Sequence, residues 1–278
     1  MTRLLLLLVA LASALSSRAQ SVNCNLYPVG SPCRQACDLY ESPPRQQAGQ
    51  GTAASQAYFD QILALCPSFA PAWREKAVPY LKRGDFSTWK RLIDEAVRLQ
   101  PAQYLGYRGW CRFQFLRDYA GAQADLTHLL RLTNGQPGYS QDGESDLRLT
   151  LALCRRELGD RAGALALMNT YLPELEAKQR VGLYDYLHRG VTRLQSGDYA
   201  GARLDLLHEQ KQVPHLAETH YYLGHVYQHQ HQPRLARQQW LRADSLFQLG
   251  YHRQDVYSES LDRIYLADIE RALHLPHP

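Results

Sequence analysis

The chain has 278 residues, with 31 Lys+Arg against 27 Asp+Glu and a formal net charge of +4. So small an excess excludes an electrostatic nucleic-acid binder, which needs a dense basic face. The length is enough for one large core or for a row of small ones.

The first stretch, MTRLLLLLVALASALSSRAQ, holds one early cation, Arg3, then an apolar run from Leu4 to Ala12 and a small-residue end. Ser17 and Ala19 fit the spacing of a cleavage site, so residues 1–19 are expected to be a secretory signal peptide with Gln20 as the mature start. The run is too short to span a bilayer, so no membrane insertion is expected once it is removed. Without Arg3 and Arg18 the mature chain keeps 29 basic against 27 acidic residues, a net charge of +2. The expected location is the periplasm or the outside of the cell.

Residues 20–51 form a Cys-containing segment. Cys24, Cys33, Cys37 and Cys66 are expected to make two disulfides, as exported proteins commonly do, with the three possible pairings left open. The segment PCRQACDLYES reads as a short helix, SPPRQQAGQGT as an irregular linker, and TAASQAYFDQILALCP as a longer helix. Cys111 and Cys154 lie inside apolar patterns and read as buried small hydrophobes.

From there the chain repeats itself. KRGDFSTWKRLIDEAV, LRDYAGAQADLTHLL, LGDRAGALALMNTYL, QSGDYAGARLDLLHE and QHQPRLARQQWLRAD align with Asp85, Asp118, Asp160, Asp198 and Gln232 in one column, at spacings of 33, 42, 38 and 34 residues. The longest step contains the loop TNGQPGYSQDGES, with Asp142, Glu144 and Asp146 read as its solvated acids. Gly84, Gly159 and Gly197 suit a left-handed helix end, and the aspartates after them suit helix N-caps. Apolar residues recur three and four apart on both sides of each turn, so each copy predicts a helical hairpin. The unit around Arg108, Gly109 and Trp110 carries one extra residue before its turn.

Trp73, Ala77, Tyr80, Ile93, Ala96 and Pro101 resemble the tetratricopeptide-repeat pattern, with Trp89 at a usual alanine. The segments around Gly190, Tyr199 and Ala202, and around Gly224, Tyr227, Ala236 and Ala243, resemble it too. The resemblance implies an all-α solenoid over residues 52–249, about five repeats after an N-terminal half repeat. YSESLDRIYLADIERALHL predicts a C-terminal capping helix within 250–278, with Leu261, Ile264, Tyr265, Ile269 and Leu273 on one side and PHP as a stop.

The resemblance further implies a concave groove for an unknown protein or peptide partner, and no catalysis. Its groove positions fall on Arg74, Val78, Lys82, Trp110, Gln114, Leu153, Arg156, Val191, Tyr221, His225, Gln228 and His229. Val78 and Val191 stand where a carboxylate clamp would want Asn. A rival reading takes His215, His220, His225, His229 and His231 as a metal-binding cluster, since His225 and His229 share a helix face. Self-association is a further alternative. No nucleophile elbow, phosphate loop, His-Glu-x-x-His helix or cofactor motif is present in the sequence.

Overall fold

The computed structural model describes residues 22–42 and 49–275. The expected signal peptide, most of the linker and the PHP tail lie outside the described residues. One compact unit closes at Ala72 and a second begins at Trp73.

In the first unit, α1 (Pro32–Glu41) starts on the Ser31 N-cap and α2 (Ala53–Leu65) on the Thr52 N-cap. Each cap hydroxyl accepts a helix amide that would otherwise lack a partner. The pairing left open by sequence is Cys24–Cys37 and Cys33–Cys66. Buried Tyr40, Phe59, Ile62 and Phe69 fill the space between the two helices.

The second unit is a succession of helices: α3 (Ala70–Lys82, entering from the first unit), α4 (Phe86–Leu99), α5 (Pro101–Cys111), α6 (Tyr119–Leu132), α7 (Leu147–Glu157), α8 (Arg161–Ala177), α9 (Asp185–Gln195), α10 (Tyr199–Gln212), α11 (Ala217–His229) and α12 (Pro233–Gln248). A short α13 (Leu266–Leu273) closes it. Among the described residues no helix is long and apolar enough to cross a membrane.

The repeated phrase now has a physical explanation. The residue before the aligned column is left-handed in every copy: Gly84, Gly159 and Gly197 at φ 77°, 92° and 81°, and Arg117 and His231 at φ 54° and 56°. Asp85, Asp118, Asp160 and Asp198 then cap the second helices, accepting the amides of Thr88, Gly121, Gly163 and Gly201. In DYAGA the glycine keeps the cap possible. A Cβ at Gly201 would sit 2.1 Å from Asp198 Oδ2.

The extra residue before Asp118 is absorbed locally. Residues Arg112–Leu116 widen into a π-helical turn, so the hairpin beyond regains its register. In three hairpins a glycine faces a large buried residue, Gly109 and Leu126, Gly190 and Leu206, Gly224 and Trp240, and the same two columns hold buried Ala77 and Ile93 and buried Ala152 and Met168 in two others. The sets occupy the same two columns, so the helices approach closely where one partner lacks bulk.

Two expectations need correction. Asp146 is not a solvated loop acid: it is buried, caps α7 through the Arg148 amide at 2.8 Å, and holds the Arg148 guanidinium. The C-terminal helix is also much shorter than its apolar pattern suggests. Residues 249–265 form an irregular strap, left-handed at Asp262 (φ 61°), and only Leu266–Leu273 is helical. Ile264 and Ile269 are buried as the pattern required. Contacts of the strap with the repeat helices override the local helix preference.

Candidate functional site

The first helices of successive hairpins form one wall, since α5 meets α7, α7 meets α9, and α9 meets α11. The strap lies against that wall, held at both ends and in the middle. At its start, the Tyr251 carbonyl accepts the amide of Ala217 at 2.9 Å, supplying a partner at the otherwise open N-terminus of α11. Further along, Gln114 donates to Ser258 Oγ at 2.7 Å and Arg117 donates to the Glu259 carbonyl.

The middle of the site is a relay of charges built on His188. The side chain of His188 is 6% exposed and that of Asp262 is 5% exposed. His188 Nδ1 lies 2.6 Å from Asp262 Oδ2, and its Nε2 lies 3.2 Å from an Arg253 guanidinium nitrogen. An arginine can only donate, so Nε2 accepts and Nδ1 carries the proton given to Asp262. Burial outweighs the carboxylate and lowers the His188 pKa to about 4, so the ring is neutral. Arg156 donates to the same Asp262 oxygen at 2.9 Å from a side chain only 2% exposed. The Arg156 guanidinium and the His188 proton hold the Asp262 carboxyl well below its ordinary value despite its burial. Tyr222 donates to the Asp262 carbonyl at 3.3 Å.

Arg253 is held with equal care. Its guanidinium lies 4.1 Å above the Tyr184 ring, donates to the Leu261 carbonyl at 2.9 Å, and its backbone amide donates to Glu218 at 2.9 Å. Beside it a cavity of about 120 Å³ remains, lined by Trp110, Gln114, Leu153, Tyr184 and His188 from the wall and by Leu261 from the strap. Glu144 and Asp142 also border it. Burial, with the neighbouring Asp142 and Asp255, raises the Glu144 pKa, and Arg253 opposes the rise.

Of the groove positions implied by the resemblance, Trp110, Gln114 and Leu153 meet at this cavity, and Arg156 holds the strap. The others are elsewhere. Val78 and Val191 are buried, and Val191 belongs to the core of α9, α10 and α11. Arg74 bonds Gln141 at 3.0 Å and covers Tyr107, and Lys82 is exposed at the end of α3. Tyr221 packs beneath α13, with its ring 4.6 Å from His225, and Gln228 is half-buried. His188, Tyr184 and the strap residues Arg253 and Asp262 went unrecognised in the sequence, where no motif marks them.

The histidines do not gather. His220 bonds Gln239 at 2.7 Å, His225 meets the Trp240 ring at 5.3 Å, His229 stacks on Tyr199 at 4.6 Å, and His215 faces Tyr251 at 5.6 Å. Among the described residues no three His, Cys, Asp or Glu side chains converge in a metal-binding arrangement. Cys111 and Cys154 are buried and unbridged, and burial pushes the Cys154 thiol up to about 12. Neither is a ready nucleophile at neutral pH.

Buried carboxyls behind the wall make stability depend on pH. Glu209 is fully buried, accepts the Leu187 amide at 3.1 Å, and is pushed by burial up to about 8 from 4.5. The native state therefore keeps a proton there that the unfolded chain sheds, and stability falls as pH rises through that window. His188 and His225, both lowered to about 4 by burial, act oppositely: their contribution is lost as pH falls below 6.5. Glu209→Gln is expected to remove this decline, which runs between pH 4.5 and about 8. For one proton that decline is about 1.4 kcal/mol per pH unit, or roughly 3–6 °C in Tm for a chain of this size. Thermal melts of both proteins at a series of pH values between 6.5 and 8 check this, and parallel declines would refute it.

No protein-family model matches the chain, and no curated protein matches it. Solved structures do match. PilW, described as a widely conserved type IV pilus biogenesis factor, aligns with a TM-score of 0.56 at 16% identity, over 82% of this chain and 96% of its own. The chain has the tetratricopeptide-repeat fold. YrrB, described as a TPR protein with an unusual peptide-binding site, aligns at 0.53 and 16% identity, over 68% of this chain and 91% of its own. The Pseudomonas aeruginosa protein pilF aligns at 0.54 and 14% identity, over 79% of this chain and 93% of its own. At these identities the likeness shows the fold alone. In this chain that fold carries a strap along its inner wall.

Proposed function

We propose that the chain is an exported, non-catalytic scaffold that grips a non-helical segment of a partner protein along the wall of α5, α7, α9 and α11. One observation carries this reading: the wall holds a looped, non-helical stretch of polypeptide, residues 249–265, through bonds to side chains of four hairpins. A surface able to order one chain segment that way has the donors and acceptors to order another. The unusual peptide-binding site described for YrrB agrees with it. The two disulfides of the first unit support export, because such bridges persist in oxidising compartments. The pilus role stated for PilW extends to this chain only as a candidate setting in the cell envelope.

The test is affinity capture from envelope extract with residues 20–278, alongside Trp110→Ala, which strips the cavity, and Leu241→Ala, which alters the outer surface. One protein enriched by the native chain and by Leu241→Ala, and lost with Trp110→Ala, would support the scaffold. Equal recovery with all three, or none with any, would end it.

A further inference from the structure

Resting on that reading, we propose that Arg156 and His188 form a carboxylate receptor in the groove. Its present occupant is the chain's own Asp262, and an acidic side chain on a looped partner segment competes for the same place.

The receptor's side chains are also held from within the wall. Arg156 is fixed by Glu157 at 3.0 Å and directed toward Thr192 at 3.4 Å, and Thr192 in turn donates to the His188 carbonyl at 2.7 Å. All three wall residues lie on α7 and α9, whose backbones the repeat array holds independently of residues 249–265. Yet Arg156 and His188 both direct protons at one point, and the group at that point comes from the strap. A second subsite lies beside the first: Tyr184 takes the Arg253 cation on its face, and buried Glu218 takes the Arg253 amide. The wall therefore reads a cation and a carboxylate nine positions apart in an irregular segment.

The strap reaches these anchors through an apex that packs little against the array. Between them Val256 is 94% exposed and Tyr257 is 71% exposed, so the apex has little apolar contact to lose on release. Asp262 sits in the left-handed region, which a non-glycine residue adopts at a cost. An intrachain segment of this kind has a high effective concentration, so a competitor must match its charges to displace it. The partner segment is thus specified chemically: a loop with an acidic side chain at the position that meets Arg156 and a cation at the position that meets Tyr184, the two brought close together as they are in the strap.

The probe is a fluorescent peptide with the sequence of residues 250–265, GYHRQDVYSESLDRIY, added to the full mature chain. Native protein is expected to bind it weakly. The variant Asp262→Asn, which loosens the intrachain segment, is expected to bind it at least tenfold more tightly. A peptide with Asn in place of its aspartate at the Asp262 position is expected to lose that gain. Adding Arg156→Ala to the Asp262→Asn chain is expected to abolish binding. Circular dichroism melts accompany each variant. Should Asp262→Asn not fold, a chain with a protease site between Asp255 and Val256, cut after folding, offers the opened groove instead.

Equal peptide affinity for native and opened protein, or indifference to the aspartate in the peptide, would overturn the receptor. A native dimer that exchanges straps would also overturn it, since a second copy would then be the occupant. If the peptide binds as expected but envelope capture yields no partner, the scaffold reading fails and the receptor stands. Capture through Trp110 without any peptide effect would have the reverse meaning.

Discussion

Gly224→Ala is expected to unfold the last hairpin far more readily than the same change in any other repeat. A Cβ at Gly224 would lie 2.2, 2.4 and 2.7 Å from Nε1, Cδ1 and Cε2 of Trp240. All three are atoms of a rigid indole, not the free end of a flexible chain. Trp240 is fully buried, and its Nε1 donates to the Tyr221 carbonyl at 3.2 Å, so the ring cannot step aside without losing that bond. Overpacking of this severity costs about 3 kcal/mol, or roughly 6–12 °C in Tm for a chain this size. The equivalent Cβ at Gly190 or Gly109 meets the Cγ of Leu206 or Leu126 at 3.0 Å, a contact that a leucine rotamer shift can ease.

The double variant Gly224→Ala/Trp240→Leu copies the leucine of the other two glycine repeats. It is therefore expected to recover most of the loss and to show strong coupling in a double-mutant cycle. Urea unfolding of the two single variants and the double variant measures it. A loss no greater than that of Gly190→Ala would show that the ring does not pack against Gly224.

What could be read from the sequence was local, and what could not was long-range. The aspartate caps in four copies, the left-handed glycines in three and the small-residue column in five each involve residues within one hairpin, so a single copy carries the signal and the copies in register amplify it. The four N-terminal cysteines were readable as two bridges but not as a pairing, because pairing depends on how α1 and α2 meet. The strap was misread for the opposite reason. Leu261, Ile264, Ile269 and Leu273 recur at helical spacing, and Ile264 and Ile269 are indeed buried, but the backbone reaches that burial through an irregular path. Its anchors connect residues far apart in the chain: Gln114 with Ser258, Arg156 with Asp262 and His188 with Arg253. No spacing rule detects such pairs. One readable signal was passed over, the paired columns of Arg108, Arg112, Asp118 and Asp125 and of Arg189, Arg193, Asp198 and Asp205.

Those columns carry the second large effect. Asp205 is 2% exposed and accepts from Arg189 at 2.9 and 2.7 Å and from Arg193 at 2.9 Å, so one carboxylate ties two arginines of α9 to α10. Asp125 does the same for Arg108 and Arg112 between α5 and α6. Removing a buried carboxylate while leaving its cations in place costs more than the pair ever contributed, because the guanidiniums lose their partner without regaining full hydration. Asp205→Ala is expected to cost about 3 kcal/mol, the lower part of the range for buried pairs, since the Arg189 and Arg193 side chains keep 11% and 19% exposure.

Replacing the cations as well separates the two contributions. Asp205→Ala/Arg189→Met should recover part of the loss by removing one stranded charge. Glu95→Ala, at a surface pair whose side chains are 65% and 39% exposed, should change stability by less than about 0.5 kcal/mol. Hydrogen exchange of α9 and α10 amides locates the effect: Asp205→Ala should raise exchange in that hairpin first and leave α5 and α6 protected. The interiors of these two hairpins then owe their alignment to a buried charge as well as to apolar packing. Uniform loss of protection across the array would instead mean that the repeats unfold as a single block, and that the clamp acts on the whole solenoid instead of on its own hairpin.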